Sequence, residues 1–168
     1  MEYLFRDLKS NEIDVRVAQV KQNGVSLLLY KDARVDQDIL DETVGPYNWQ
    51  RKHSRDNANC VIEIWDDKKQ QWVGKEDTGT ESFTEKEKGL ASDSFKRSGF
   101  NWGIGRELYT APFIWVRAED TEIKELGLGK YTCNDKFKVE AIQIIDKEIT
   151  GLAIKNGKGK RVFVWKKR

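Results

Sequence analysis

A chain of 168 residues is one domain, or one domain with a small appendage, and is long enough to bury a real core. Its apolar share is low, 38%, and its charged share high, 35%, so the polar surface, or a charged groove in it, is large relative to the core. A formal net charge of +2 does not by itself point to a polyanionic partner; the distribution of charge has to decide.

Two cysteines, Cys60 and Cys133, are far apart. They supply neither a metal-type spacing nor a disulfide framework, and a reducing cytoplasm is the simple expectation. The first residues, Met1 to Asp7, lack an apolar core, so no signal peptide is expected, and no apolar run approaches membrane length.

In chain order, residues 4–10 suggest a short helix. Ile13, Val15 and Val17 alternate with polar residues as in a half-buried strand. Asn23-Gly24 is a strong hairpin signal, and Val25 to Tyr30 follows as a more buried strand. From Asp32 a helix is expected with Val35, Ile39, Leu40 and Val44 inward, stopped by Gly45-Pro46. Tyr47–Arg55, Ala58–Trp65 and Gln70–Lys75 read as a three-stranded meander turning at Asp66-Asp67-Lys68-Lys69.

The next stretch, Glu76 to Tyr109, organises the rest. Thr84 and Glu87 have capping-box spacing. Leu90, Ala91, Ser94, Phe95 and Ser98 then share one face of a helix, small and apolar enough to lie on a sheet. Gly99 is expected to stop the helix, and Gly103 and Gly105 to allow a sharp turn. Lys96 points off the apolar face, and Arg97 at its flank is placed for an (i, i+4) pair with Asp93. Beyond it, Phe113–Val116 reads as a short buried segment and residues 118–130 as a polar loop. Lys136–Ile145, Ile149–Ile154 and Arg161–Trp165 read as strands, with a turn at Asn156-Gly157. This tail is either a β appendage or an extension of the main sheet. It ends in a cationic run, Lys166-Lys167-Arg168, that reads as a solubilising tail.

Catalytic signals are weak. The only histidine, His53, lies in Arg51-Lys52-His53-Ser54-Arg55, an exposed basic strand rather than a cleft. Gly103-Ile104-Gly105 follows a helix and has no Gly-Lys-Ser/Thr ending, so it is not a phosphate loop. A metal-dependent nuclease would need carboxylates such as Asp66, Asp67, Glu76 and Asp77, or the Glu122-Ile123-Lys124 stretch, gathered in one place. Nucleic-acid signals are better. Tyr47, Trp49, Arg51, Lys52 and Arg55 interleave aromatic rings with cations, as a surface for single strands would. Tyr47 and Trp49 are equally acceptable as core.

The order Tyr30-Lys31-Asp32-Ala33-Arg34-Val35, Gly45-Pro46-Tyr47-Asn48-Trp49, Glu76-Asp77-Thr78-Gly79 and Ser92-Asp93-Ser94-Phe95-Lys96-Arg97, closed by the glycine-rich turn to Leu108-Tyr109, resembles the Rad-fifty-two superfamily. Its phage branch, the Sak-type single-strand annealing proteins, is nearest in size. The resemblance covers about residues 8–115. It implies an α+β fold, an antiparallel β-sheet packed on a central helix (a β-β-β-α core), assembled side by side into an oligomeric ring or helical array. Residues 1–117 would be the annealing core and 118–168 a β-rich extension.

The function implied is single-stranded DNA binding and strand annealing in recombination and repair, without nucleotide hydrolysis, enzymatic activity, cofactor or metal. The setting implied is the cytoplasm of a bacterial host, with a host single-strand binding protein or a phage exonuclease as candidate partners. By the family pattern Lys96 and Arg97 form the floor of a DNA groove, with Arg34 and Lys88 beside them. Charge and position add Arg51, Lys52, Arg55 and Arg106. The stretch between Gly79 and the helix is shorter than in eukaryotic members, and the region from about residue 118 has no counterpart. The alternatives are a generic single-strand binder without annealing activity and a metal-dependent nuclease.

Overall fold

The computed structural model describes residues 4–80 and 86–168, with side chains from residue 89 onward in the second span. The Thr84–Glu87 capping pair and the Lys88 side chain lie outside the described residues. The strands are β1 (Asp14–Lys21), β2 (Gly24–Tyr30), β3 (Trp49–Ser54), β4 (Asn59–Asp66), β5 (Gln71–Thr78), β6 (Ile114–Arg117), β7 (Ile123–Gly127), β8 (Lys130–Cys133), β9 (Lys138–Ile145), β10 (Glu148–Lys155) and β11 (Arg161–Lys166). Two α-helices, α1 (Ala33–Val44) and α2 (Lys86–Asn101), flank the β3–β5 meander in sequence. The fold is α+β, with antiparallel sheets and, among the described residues, two α-helices.

The chain forms two compact units, one of Met1–Asp7 and Asp32–Arg106, the other of Leu8–Lys31 and Glu107–Arg168. The division does not follow a cut at residue 117. Strands on both sides of that position share one sheet.

The first unit holds α1, the meander β3-β4-β5 and α2. The meander forms because β4 alternates: Cys60, Ile62 and Ile64 are buried on one face, and α2 lies on β4 and β5. Burial of the α2 stripe follows the helical period, with Leu90, Ser94, Phe95 and Ser98 all buried. The serines fit there because a small hydroxyl lets backbones approach. Ser98 Oγ accepts from Ile62 N at 3.0 Å and donates to Lys75 O at 2.7 Å, so it bridges two strands to the helix. α1 starts on Asp32, whose side chain accepts from Arg34 N, and buries Ile39, Leu40 and Val44.

Gly99 does not stop α2. The helix runs to Asn101, and the left-handed Gly103 (φ +96°) and Gly105 (φ +72°) make the turn. Gly99 instead admits α1: a Cβ there would meet Asp36 Oδ2 at 2.6 Å.

The second unit holds a six-stranded sheet in the order β11-β10-β9-β1-β2-β6 and the β7–β8 hairpin. Its end strands β11 and β6 approach one another, so the sheet curls into a barrel-like form around Val25, Leu27, Ile114, Val116, Ile149 and Ile154. This corrects the expectation of one sheet packed on one helix: α2 covers only the small meander, and the larger sheet encloses its core by curling. The tail is therefore an extension of the β1–β2 hairpin. Its link is a single paired position, Asp14 with Lys138.

Three local expectations also differ. Residues 4–10 contain no α-helix, only a 3-10 turn at Ser10–Glu12. The turn of the first hairpin is Gln22-Asn23, because Lys21 pairs with Gly24. Residues 118–130 are not a loop, since they hold a 3-10 turn, β7 and the start of β8, whose exposed, polar sequence masks the strand period. Among the described residues, no helix is long and apolar enough to cross a membrane.

Candidate nucleic-acid interface

All eight cations expected at the site belong to the first unit, but secondary-structure geometry sorts them onto different surfaces. Neighbours on an α-helix point about 100° apart. Lys96 is on the side of α2 that faces α1, where its charge acts on Asp32. Arg97 is on the opposite flank beside β5, with Nε 3.5 Å from Asp77 Oδ1. The expected Asp93–Arg97 pair does not form. Asp93 instead accepts from Thr80 N at 2.8 Å and from its hydroxyl at 3.3 Å. Asp77 also takes the Asn101 amide at 3.2 Å, so Arg97 belongs to a polar seam between β5 and α2.

Successive strand residues face opposite sides of a sheet. Arg51 therefore shares the helix-bearing face with Trp49 and His53, while Lys52 is on the reverse. Arg51 lies over the Phe95 ring, 4.8 Å from its centroid. Trp49 packs on the same ring at 6.1 Å and donates Nε1–H to Asp41 Oδ1 at 2.6 Å. Lys52 is 2.8 Å from Glu63, and that contact holds the Glu63 carboxyl below the usual range. Tyr47 and Trp49 thus divide: Tyr47 is 92% exposed, and Trp49 is part of the packing.

Arg34 is on the first turn of α1, its side chain 83% exposed and bonded to Asp32 at 3.1 Å. Hydrogen bonds from the Arg34 side chain and backbone, with the charge of Lys96, hold Asp32 below the ordinary carboxylate range. Arg55 is exposed in the β3–β4 turn, where Arg55, Asp56 and Asn57 all have positive φ. Arg106 is a helix cap: Nε donates to Phe100 O at 2.6 Å and Nη2 to Asn101 O at 3.0 Å. Lys75 Nζ shares Asn101 O at 2.8 Å and lies over Trp102 at 4.8 Å. Two cations thus satisfy the free carbonyls at the negative end of α2.

Arg34 and Lys96 both act on Asp32 at the start of α1, and Arg51 lies over Phe95 of α2. An exposed aromatic, Tyr47, lies on the segment joining α1 to β3. Such a surface can hold phosphates by charge and a base by stacking. The part Phe95 plays as the platform under Arg51 was missed in the sequence; strand alternation, which puts Arg51 on the helix face, carried the signal.

His53 is half-buried, not exposed. Its Nδ1 is 3.4 Å from Ser94 Oγ, which donates to Asn57 O at 2.9 Å. Burial, and then the charge of Arg51, pull its pKa below the ordinary imidazole value, so the ring is neutral at pH 7. Cys60 is buried beside it, and burial pushes its thiol up to about 11.

The carboxylates considered for metal chemistry do not meet. Asp77 pairs with Cys60 in the β4–β5 ladder, whereas Asp66 is at the far end of β4; at ~3.3 Å per residue that separates them by roughly 20 Å. Asp66 caps the hairpin turn through Lys68 N and Lys69 N, and Glu76 accepts from Asn59. Glu122 pairs with Lys158 at 2.7 Å. Among the described residues no group of three or more His, Cys, Asp or Glu is placed to hold a metal ion.

The Asp77-Thr78-Gly79 motif has a packing reason. A Cβ on Gly79 would lie 2.6 Å from Ser94 N and 3.1 Å from Leu90 O, both backbone atoms of α2. Gly79→Ala should destabilise the first unit by about 1–3 kcal/mol, the usual cost of overpacking. Urea unfolding followed by tryptophan fluorescence reads this, and an unchanged midpoint would show that α2 does not depend on the close approach.

No family model, curated protein or solved structure matches the chain.

Proposed function

We propose that this protein binds single-stranded DNA and promotes annealing of complementary strands, without nucleotide hydrolysis, as an assembly of many copies. The observation that carries the reading is the placement of Arg34 and Lys96 about the start of α1, with Arg51 over Phe95 on the helix-bearing face of β3. The resemblance of the 30–109 segments to annealing proteins supports it.

Two strands repel through their phosphates. A cationic surface lowers that repulsion and releases counterions, and pairing itself supplies the free energy of annealing. One unit offers few phosphate contacts, so useful affinity requires copies in a row, each raising the effective concentration of the next contact. Strands β3 and β5 end the small sheet on its two sides, and open strand edges are a natural place for copies to join.

Native mass spectrometry tests the assembly, with the protein alone and with an unstructured oligothymidine. The expected result is a species of many chains that persists or grows when the oligonucleotide is added. A single chain under both conditions, with no bound oligonucleotide at low salt, would refute the reading.

A further inference from the structure

A second surface, in the other unit, has the features of a base-stacking site. The β1–β2–β6 ladder fixes which side chains face outward. Val25, Leu27, Ile114 and Val116 point into the core, so the alternate positions point out. On β6 these are Phe113, which precedes the strand, and Trp115. Their rings stack at 6.3 Å with an interplanar angle of 18°. The Trp115 indole lies against Gly24, where a Cβ would meet Cζ2 at 2.5 Å. Glycine at this position is what lets the ring lie against the sheet. Phe113 continues the pair into solvent and is 77% exposed.

The ladder between β2 and β6 ends at Leu27 with Ile114. One position further on, Leu28 follows on β2, 47% exposed, directly opposite Arg16 of β1. Tyr30, 39% exposed, comes next on the same face. With strands about 4.8 Å apart, Arg16, Leu28 and Phe113 form a row roughly 10 Å wide. Exposed stacked aromatics beside aliphatic surface mark a binding site more often than an idle surface.

The charge on this face selects the occupant. Arg16 and Lys21 are exposed, and neither has an ion pair among the described residues. One carboxylate, Asp14, is exposed on the same face of β1 two residues before Arg16, so the two cations outnumber it. Flat rings flanked by unneutralised cations suit a chain of bases with a phosphate backbone better than an apolar protein surface.

We propose that the outward face of β1, β2 and β6 is a stacking platform for single-stranded nucleic acid. A base lies on Phe113 and extends the Phe113–Trp115 stack, and Arg16 and Lys21 hold adjacent phosphates. The platform belongs to a different unit from the cations of α1, α2 and β3, and it stands whether or not the protein anneals strands.

The test uses the full chain, a fluorescein-labelled oligothymidine and four proteins: wild type, Phe113→Ala, Arg16→Ala, and Arg51→Ala with Lys96→Ala. Phe113 and Arg16 are both exposed, so neither single change removes core packing. Phe113→Ala should weaken binding about tenfold and leave the salt dependence unchanged, because stacking is lost and no charge is. Arg16→Ala should weaken binding and flatten the plot of log affinity against log salt by about 0.7, one single-strand phosphate contact. Wild-type affinity and salt slope in both single variants would overturn the proposal. So would a Phe113→Ala protein with unchanged affinity whose mass falls in sedimentation, since the rings would then belong to a contact between copies. Loss of binding in Phe113→Ala together with full binding when Arg51 and Lys96 are replaced would keep this platform and refute the first-unit site instead.

Discussion

Phe95→Ala is expected to cost about 3–5 kcal/mol of stability. Phe95 is fully buried and is the point where three elements meet: α2 supplies it, Trp49 of β3 packs on it, and Arg51 lies across it. Truncation leaves a cavity under β3 that the short meander cannot fill by collapse, because Ser94 and Ser98 already hold the helix at hydrogen-bond distance from its surroundings. Phe95→Leu separates ring from volume. It should cost about 1–1.5 kcal/mol as a near volume-conserving change, and it removes the cation–π contact of Arg51, about 0.5–1 kcal/mol at an exposed site. Urea titration of the three proteins measures this. A Phe95→Ala loss below about 1 kcal/mol would mean that the ring does not hold β3 to α2.

Local periodicity was readable where partners are close in sequence. The β3–β4–β5 meander and the buried stripe of α2 follow from alternation and from the 90, 94, 95, 98 spacing. The curled sheet was not readable, because its halves meet at Asp14 and Lys138, and alternation names a face but never a distant partner. The β7–β8 hairpin was hidden for another reason. Leu126 and Leu128 are exposed and its strands carry charges on the surface, so no apolar period marks it.

The candidate site was legible in its cations and not in their partners. Composition located the cations, but reading them as one groove ignored geometry the sequence already held. Adjacent strand residues such as Arg51 and Lys52 face opposite ways, and adjacent helix residues such as Lys96 and Arg97 diverge by ~100°. What no pattern gives is which cation already has an acid. Arg97 with Asp77 and Lys52 with Glu63 are tertiary pairs.

A salt titration of oligothymidine binding tests which of these cations contact DNA. Arg51→Ala with Lys96→Ala should weaken binding about tenfold or more near 0.1 M salt. The slope of log affinity against log salt should flatten by about 1.4, two single-strand contacts at ~0.7 each. Lys52→Ala, on the reverse face, should leave both quantities unchanged. Arg97→Ala should lower stability, by leaving Asp77 without its cation, while keeping the slope. The same slope in the Arg51/Lys96 double variant as in wild type, or an equal loss in Lys52→Ala, would contradict a DNA surface on the α1–α2–β3 side.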